Sequence, residues 1–455
     1  MISAEPRAQK PGESMAALIP EPSSAEQRSH LRRAVIASTI GTTIEWYDFF
    51  LYSIVTGLVF AKLFFPQSSP LSGTLQAFTV YLIGFVARPI GAAIFGHFGD
   101  RIGRKTTLVA TLTLMGLATF LVAFVPTHAQ VGAWGAVILT TLRLIQGIGV
   151  GGEWGGSVLL AMEWTRSNAH RGFVTSWPQM GVPLGLVLAN LAVLISSWMA
   201  GDAFLVWGWR IPFVLSIGLI AVGLYIRLGI LETPAFATLA AENKLSRQPV
   251  LEVIRTHPRP ILLSAFARTS QQATFYVFTA FVFSYGTTVL GMSRNFLLVA
   301  LLTASTLSCF TNPLFGFLSD RIGRKRTYLW GILLTAVFGF IYFGLLDTRA
   351  PALIFIAIAG SLVPHDIMYG PQAALIAESF NARLRYSGAS LGYHLASLFS
   401  GGPAPLIATA LLARYHSGTS IALYLAACAV VSAIATRYLI DRTNQQLDPT
   451  DTLGR

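Results

Sequence analysis

Apolar residues in this chain come in long runs broken by short polar stretches, and almost every run is long enough to cross a bilayer as one helix, which takes about 20 residues. Twelve such runs can be marked, at 34–62, 71–99, 106–126, 131–162, 171–199, 206–231, 260–290, 296–318, 327–346, 350–377, 386–413 and 418–440. Those longer than the minimum can tilt or extend into protein-lined space. Six runs lie on each side of 232–259, where Lys244, Arg247, Arg255, Arg259, Pro249 and Pro258 indicate a polar connector. The expected fold class is an all-α membrane protein with twelve transmembrane helices in two six-helix bundles, 31–231 and 260–442.

One polar string interrupts this pattern twice. Asp-Arg-Ile-Gly-Arg-Lys runs from Asp100 to Lys105 and again from Asp320 to Lys325, each time directly after an apolar run, and the flanking Gly96 and Thr107 fall on Gly316 and Thr327. Repetition of this kind marks an internal duplication. In each copy the aspartate closes a span, and Gly103 or Gly323 permits a tight reversal before the basic residues reach the headgroups.

Composition agrees with lipid as the solvent. Hydrophobic residues make up 53% of the chain and charged ones 11%, against about a quarter charged in a soluble domain. Most of the 32 Lys and Arg fall in alternate loops and at the termini, whereas Lys62, Arg294, Arg349 and Arg414 occupy the opposite loops. Basic loops stay on the cytoplasmic side, so both termini are expected there, in an inner-membrane protein of bacterial type. The formal charge of +12 is scattered over juxtamembrane loops, which suits anionic lipid rather than nucleic acid. Residues 1–30 read as a disordered cytoplasmic arm and 443–455 as a short cytoplasmic tail. Cys309 and Cys428 sit inside apolar runs and read as packing residues. The eight histidines form no HExxH-like arrangement, so neither a metal nor another cofactor is expected, nor an enzyme or an obligate protein partner.

The string from Gly96 to Lys105 resembles the loop motif between the second and third spans of the major facilitator superfamily, and the similarity covers about Arg32 to Arg442. Glu45-Trp-Tyr-Asp-Phe49, Arg88-Pro-Ile-Gly91, Gly151-Gly-Glu-Trp-Gly-Gly156 and Trp207-Gly-Trp-Arg-Ile-Pro-Phe213 resemble its metabolite:proton symporter family. Pro364-His365-Asp366 and the stretch from Arg385 to Tyr393 are most similar to the shikimate-carrying branch, while other members carry citrate, 2-oxoglutarate, proline or betaine. The resemblance implies that Asp100 and Arg104, with Asp320 and Arg324 in the second half, help lock a cytoplasmic gate. Gly96, Arg101, Gly103, Lys105, Arg321 and Gly323 complete that expected gate.

Charges inside the spans are the candidate chemistry, since an ionised group at the bilayer centre costs at least about 2.5 kcal/mol without a partner or a wet cavity. Glu45 and Asp48, three residues apart, share one face of the first span, and close carboxylates tend to share a proton. Glu45 fits proton carriage or a fixed ion pair equally well; Asp48 is favoured as functional. Arg143 and Gln146 share a face of the fourth span, where the resemblance implicates the arginine in proton coupling, and Asp48 or Glu45 is expected to meet Arg143. Glu153 lies about 15 Å further along that helix and about 80° round it, so it needs another partner, with Arg88 of the second span expected. Arg268, Gln271 and Gln272 would grip a carboxylate from the seventh span, or Arg268 would snorkel. His365 and Asp366 in the tenth span, beside Pro364 and Pro371, are candidate coupling groups; Tyr393 and His394 are weaker ones.

These features are expected of a carrier that imports a small organic acid by proton symport through alternating access, and the surplus of intramembrane arginine favours a carboxylate. The alternative substrate is a zwitterion such as a betaine or amino acid. A membrane-embedded enzyme or sensor is disfavoured.

Overall fold

The computed structural model describes residues 24–68, 70–165, 170–242, 246–443 and 445. The expected arm as far as residue 23, Lys244 of the connector and nearly all of the expected tail lie outside them; the first helix starts at Ser24, within the stretch assigned to the arm. All twelve expected spans are helical. Ten of them are long and apolar enough to cross a membrane, from Leu75–Ile102 to Gly418–Tyr438, the tenth with a turn at Ser361 and the eleventh with a π-helical turn at Ser397–Gly401. The other two carry local breaks. The first span, Ser24–Val55, runs into a π-helical turn at Thr56–Phe60. The seventh is assembled from Pro258–Ala267, Thr269–Tyr276, a π-turn at Val277–Phe281 and Val282–Thr288.

Packing follows the duplication. The first span packs on the fifth (Arg171–Ala200) and the seventh on the eleventh (Arg385–Tyr415). The second (Pro70–Ile102) and third (Arg104–Val122) pack on the fourth (Trp134–Glu163). Their counterparts, the eighth (Arg294–Ile322) and ninth (Arg324–Asp347), pack in the same way on the tenth (Pro351–Ala377). The halves meet along two seams, second span on eleventh and fifth on eighth. An apolar core rich in aromatic rings, including Trp46, Phe49, Phe85 and Tyr276, bridges them.

The repeated hexapeptide forms the same turn in both halves. Gly103 and Gly323 sit at φ of 112° and 106°, a backbone region that side chains resist. A glycine cannot cap the helix that follows it with a side chain, and the missing acceptor comes from the end of each half. Glu232 accepts from the backbone N–H groups of Arg104 and Lys105 at 3.0 and 3.2 Å. In the second half Thr443 Oγ1 accepts from Arg324 N and Asp441 from Lys325 N.

A buried ion pair pins the first half together. Arg227 of the sixth span (Ile211–Leu228) donates to both carboxylate oxygens of Glu153 and to the carbonyl of Leu108. Thr111 and Ser157 donate to the same carboxylate at 3.1 and 2.8 Å. Glu153 is therefore consumed by Arg227 and not by Arg88, because the sixth span, not the second, places a guanidinium at its level. Trp209 is fully buried against Phe60, Phe64 and Phe213, while Trp207 stays exposed.

Removing one member of such a pair strands the other charge in the core, at about 3–5 kcal/mol. Arg227→Met is expected to lower the thermal unfolding midpoint in detergent sharply, and Arg227→Met with Glu153→Gln to recover much of the loss. A double variant no more stable than the single one would show that the pair does not set this stability.

Candidate functional site

The candidate side chains gather in two regions: the face bearing the hexapeptides, and a chamber at mid-span between the halves.

On the motif face each repeated aspartate crosses to the other half. The eleventh and fifth spans begin after Leu384 and His170, neither of which caps its helix with a side chain. Asp100 supplies the acceptor for the eleventh, taking hydrogen bonds from Ser387 N at 3.0 Å and Ser387 Oγ at 2.8 Å. Asp320 does the same for the fifth, taking the N–H groups of Gly172 and Phe173 at 2.8 Å each. A carboxylate here meets both the unpaired N–H groups and the positive end of the helix. The second and eighth spans approach closely enough that a Cβ at Gly96 would press on Ser387, and one at Gly316 on Ser176.

Arginines tie these caps into two matching clusters. Arg324 binds Asp320 at 3.1 Å and Glu378 at 2.6 Å, and Arg171 of the opposite half reaches Glu378 at 3.3 Å. Arg104 lies 3.4 Å from Asp100 and 3.5 Å from Glu163, which Arg385 approaches at 3.7 Å. Burial raises the Glu378 carboxyl above its ordinary range, opposed by Arg324 and Arg171. The cluster around Arg104 is the looser of the two. Arg101 contacts His97, Arg321 lies over Phe317, and Lys105 donates to the carbonyl of Leu228. These three basic residues of the motif thus sit outside the cross-half contacts. Sequence reading missed Glu163, Glu378, Arg171 and Arg385. The available signal was their recurrence, since a glutamate ending the fourth or tenth span precedes an arginine opening the next in both halves.

At mid-span, Phe49 packs against two buried guanidinium groups. The Arg88 Cζ is 4.4 Å from the ring centroid and the Arg143 Cζ 4.8 Å. Arg88 also faces Trp46 and Phe85, and Arg143 faces Tyr52 and Tyr81. Neither has a carboxylate within ion-pair distance among the described residues; Arg143 Nε and Nη2 find no hydrogen-bond acceptor, and Arg88 has only the Tyr276 hydroxyl beside it. Arg143 instead donates to Gln146 at 3.3 Å, Gln146 donates to Thr119 at 2.8 Å, and Asp48 faces Thr119. The expected ion pair of Arg143 with Asp48 or Glu45 is absent, because Gln146 and Thr119 stand between Arg143 and Asp48. Glu45 is fully buried within electrostatic reach of Arg88, Arg227, Glu153 and Asp48. The hydroxyl of Tyr52 and both ring nitrogens of His394 also lack partners here, while Tyr81 and Tyr276 neighbour Ser53 and Arg88.

The second half contributes a hydrogen-bonded chain. Arg268 stands at the break in the seventh span, donating to Gln372 at 3.0 Å, to Gln271 at 3.2 Å and to the carbonyl of Tyr393. Gln271 meets His365 Nε2 at 2.8 Å, His365 Nδ1 meets Asp366 at 3.0 Å, and Thr311 donates to Asp366. The adjacent His365 and Asp366 thus bind each other, and only His365 turns toward the chamber. Arg268, Gln271, Gln272, Trp46, Tyr276 and Tyr393 line a gap of only about 10 Å³, room for at most about one water. Below it Trp154 stacks on Tyr393, ring centroids 3.6 Å apart, and Arg268 covers the other ring contact. The chamber is closed on the motif side.

The description of the Major Facilitator Superfamily matches residues 35–405. The chain is 41% identical over 421 residues to the shikimate transporter of Escherichia coli (strain K12), covering 91% of this chain and 95% of that one. It is 38% identical, with the same coverage, to the inner membrane metabolite transport protein YhjE of that organism. Its backbone is similar in fold to that of the proton:xylose symporter XylE bound to 6-bromo-6-deoxy-D-glucose, with a TM-score of 0.73, 18% identity, and coverage of 92% of this chain and 98% of that one.

Hydrogen bonds to a charged group contribute about 1.5–3 kcal/mol each, so losing the Asp320 cap is expected to shift the closed state of the motif face by about 10–100-fold. Spin labels at His170 and Arg321 report the distance across that seam. Asp320→Ala should add a longer-distance population, and Asp100→Ala with Asp320→Ala a larger one; an unaltered distribution in the double variant would mean that the caps do not hold the seam.

Proposed function

Because the chain belongs to the Major Facilitator Superfamily and is a multi-pass membrane transporter, we propose that it imports a small organic acid with protons by alternating access, with the motif face toward the cytoplasm. The orientation rests on the concentration of Lys and Arg in loops on the motif face. The two bundles, 31–231 and 260–442, move against each other about the chamber, and 232–259 connects them.

The observation that carries the substrate class is the pair Arg88 and Arg143, both buried against Phe49, Arg143 with unsatisfied N–H donors and Arg88 with only the Tyr276 hydroxyl beside it. Buried cations without partners are costly, and an entering carboxylate would satisfy both donors with charge-assisted bonds. The hydroxyl of Tyr52 adds a neutral donor for the remainder of a hydroxylated acid. Arg268 is engaged by Gln372, Gln271 and Tyr393 and positions the seventh span instead.

Asp48 is the group best placed to carry the proton. It is buried with neither oxygen well hydrogen-bonded, a setting that a carboxylic acid tolerates and a carboxylate does not. It is linked to Arg143 only through Thr119 and Gln146. With Asp48 protonated, Arg143 is free for the substrate. Loss of the proton creates a carboxylate that competes for Arg143 and so favours release. Substrate and proton together bias the switch because they are bound differently in the two states. Breaking the Asp100 and Asp320 caps then opens the motif face.

Proteoliposomes holding the purified chain should accumulate shikimate, 2-oxoglutarate or citrate when an inward proton gradient is imposed, and betaine far less; no gradient-stimulated accumulation of any organic acid would overturn this reading. Asp48→Asn is expected to keep downhill exchange while losing accumulation. Arg143→Gln should raise KM by about 10–100-fold, the loss of a bond of about 1.5–3 kcal/mol; concentrative uptake unaffected by Asp48→Asn would remove that residue from the coupling.

A further inference from the structure

On the face opposite the hexapeptides, the halves do not meet as tightly. A cavity of about 250 Å³ lies between the first and second spans of one half and the seventh and eighth of the other. Lys62 and Arg294 line it from opposite halves, and no Asp or Glu is among its lining residues. These two cations are half of the four basic residues in the loops of that face, so their convergence on one cavity is not a consequence of a generally basic surface.

The walls suit an anion in transit. Ile54, Phe78 and Phe283 make them partly apolar, and a low-dielectric rim concentrates the field of a few charges. Thr287 and Thr288 donate their hydroxyl protons to helix carbonyls of Phe283 and Ser284. Positive potential therefore comes from Lys62 and Arg294, both exposed. At the inner end Ser53 neighbours Tyr81, whose ring Arg143 faces. Tyr81 thus stands between this cavity and the buried arginines. The π-turns Thr56–Phe60 and Val277–Phe281 flank the opening on its two sides, Ala280 of the second lining it.

We propose that this cavity is a loading site for organic anions, in which Lys62 and Arg294 hold a carboxylate before it passes Tyr81 to reach Arg143 and Arg88. The inference rests on the organic-acid reading above and adds a second, outer position for the same substrate class. Being exposed, the site recruits through long-range attraction and is screened by salt over about 8–10 Å at physiological ionic strength. Neutralising it should weaken capture without touching the steps at the buried arginines.

The test separates the potential of the cavity from transport. In a chain carrying Cys309→Ser and Cys428→Ser, Thr287→Cys places a thiol in the cavity wall. Its conversion to a mixed disulfide, with loss of methanesulfinate, by anionic 2-sulfonatoethyl methanethiosulfonate, relative to the cationic trimethylammonioethyl reagent, should exceed the ratio for free cysteine about tenfold at about 20 mM salt. The excess should fall at about 200 mM salt and vanish in Lys62→Gln with Arg294→Gln. In proteoliposomes the same double substitution, with the native threonine and cysteines retained, should raise the KM for shikimate about 3–10-fold at low salt with kcat unchanged. A reagent ratio equal to that of free cysteine overturns the proposal whatever the transport result, and so does a biased ratio with an unaltered KM. If the wild type takes up no organic acid, the organic-acid reading fails, and loading falls with it even where the ratio shows a positive cavity.

Discussion

Two helices that lack caps of their own hold the molecule in its present state. The fifth and eleventh spans start without a side-chain acceptor, and Asp320 and Asp100 provide one from the other half. Unpaired N–H groups at a buried helix start must be satisfied somewhere, so each half completes the other. The bond is strong because it is charge-assisted, and it is breakable because it crosses a seam rather than lying within a bundle. Arg104 and Arg324 then decide how well each aspartate is compensated, and the contacts around Arg324 are the shorter.

The chamber obeys the opposite rule. Charges in the motif-face clusters and in the Arg227–Glu153 pair each have an opposite charge within 3.7 Å, as buried charges in a low-dielectric setting demand, although both Glu163 oxygens and one of Asp100 accept no hydrogen bond. Arg88, Arg143 and Asp48 are equally buried yet left with open donors and acceptors. The protein thus keeps satisfied ionic contacts where it must hold shape and unsatisfied ones where something must come and go. Aromatic rings around Arg88 and Arg143 ease this arrangement, since a guanidinium over a ring is attracted by its face.

Helical irregularities lie where the halves face each other. The first and seventh spans each turn π-helical near the opposite face, and the seventh is broken again at Arg268. Such turns free backbone groups, and inside a bilayer that is tolerated only where protein or a cavity covers them. They border the cavity that holds Lys62 and Arg294, so the irregular backbone and the open end of the molecule coincide.

Much of this was legible along the chain. Span number, the six-and-six division and the paired hexapeptides follow from one-dimensional hydropathy and repetition, because lipid imposes the same length and apolarity on every crossing. Which residues carry buried charge was equally plain, since Glu45, Asp48, Arg88, Arg143 and Glu153 stand out against apolar neighbours. Their pairing was not. A span of this length places a charge at a depth but leaves open which neighbour faces it, and only packing put Arg227 against Glu153 and interposed Gln146 and Thr119 between Arg143 and Asp48. The sequence by itself determined what must be buried; the tertiary structure decided which of those charges are satisfied, because satisfaction depends on a few ångströms between helices far apart in the chain.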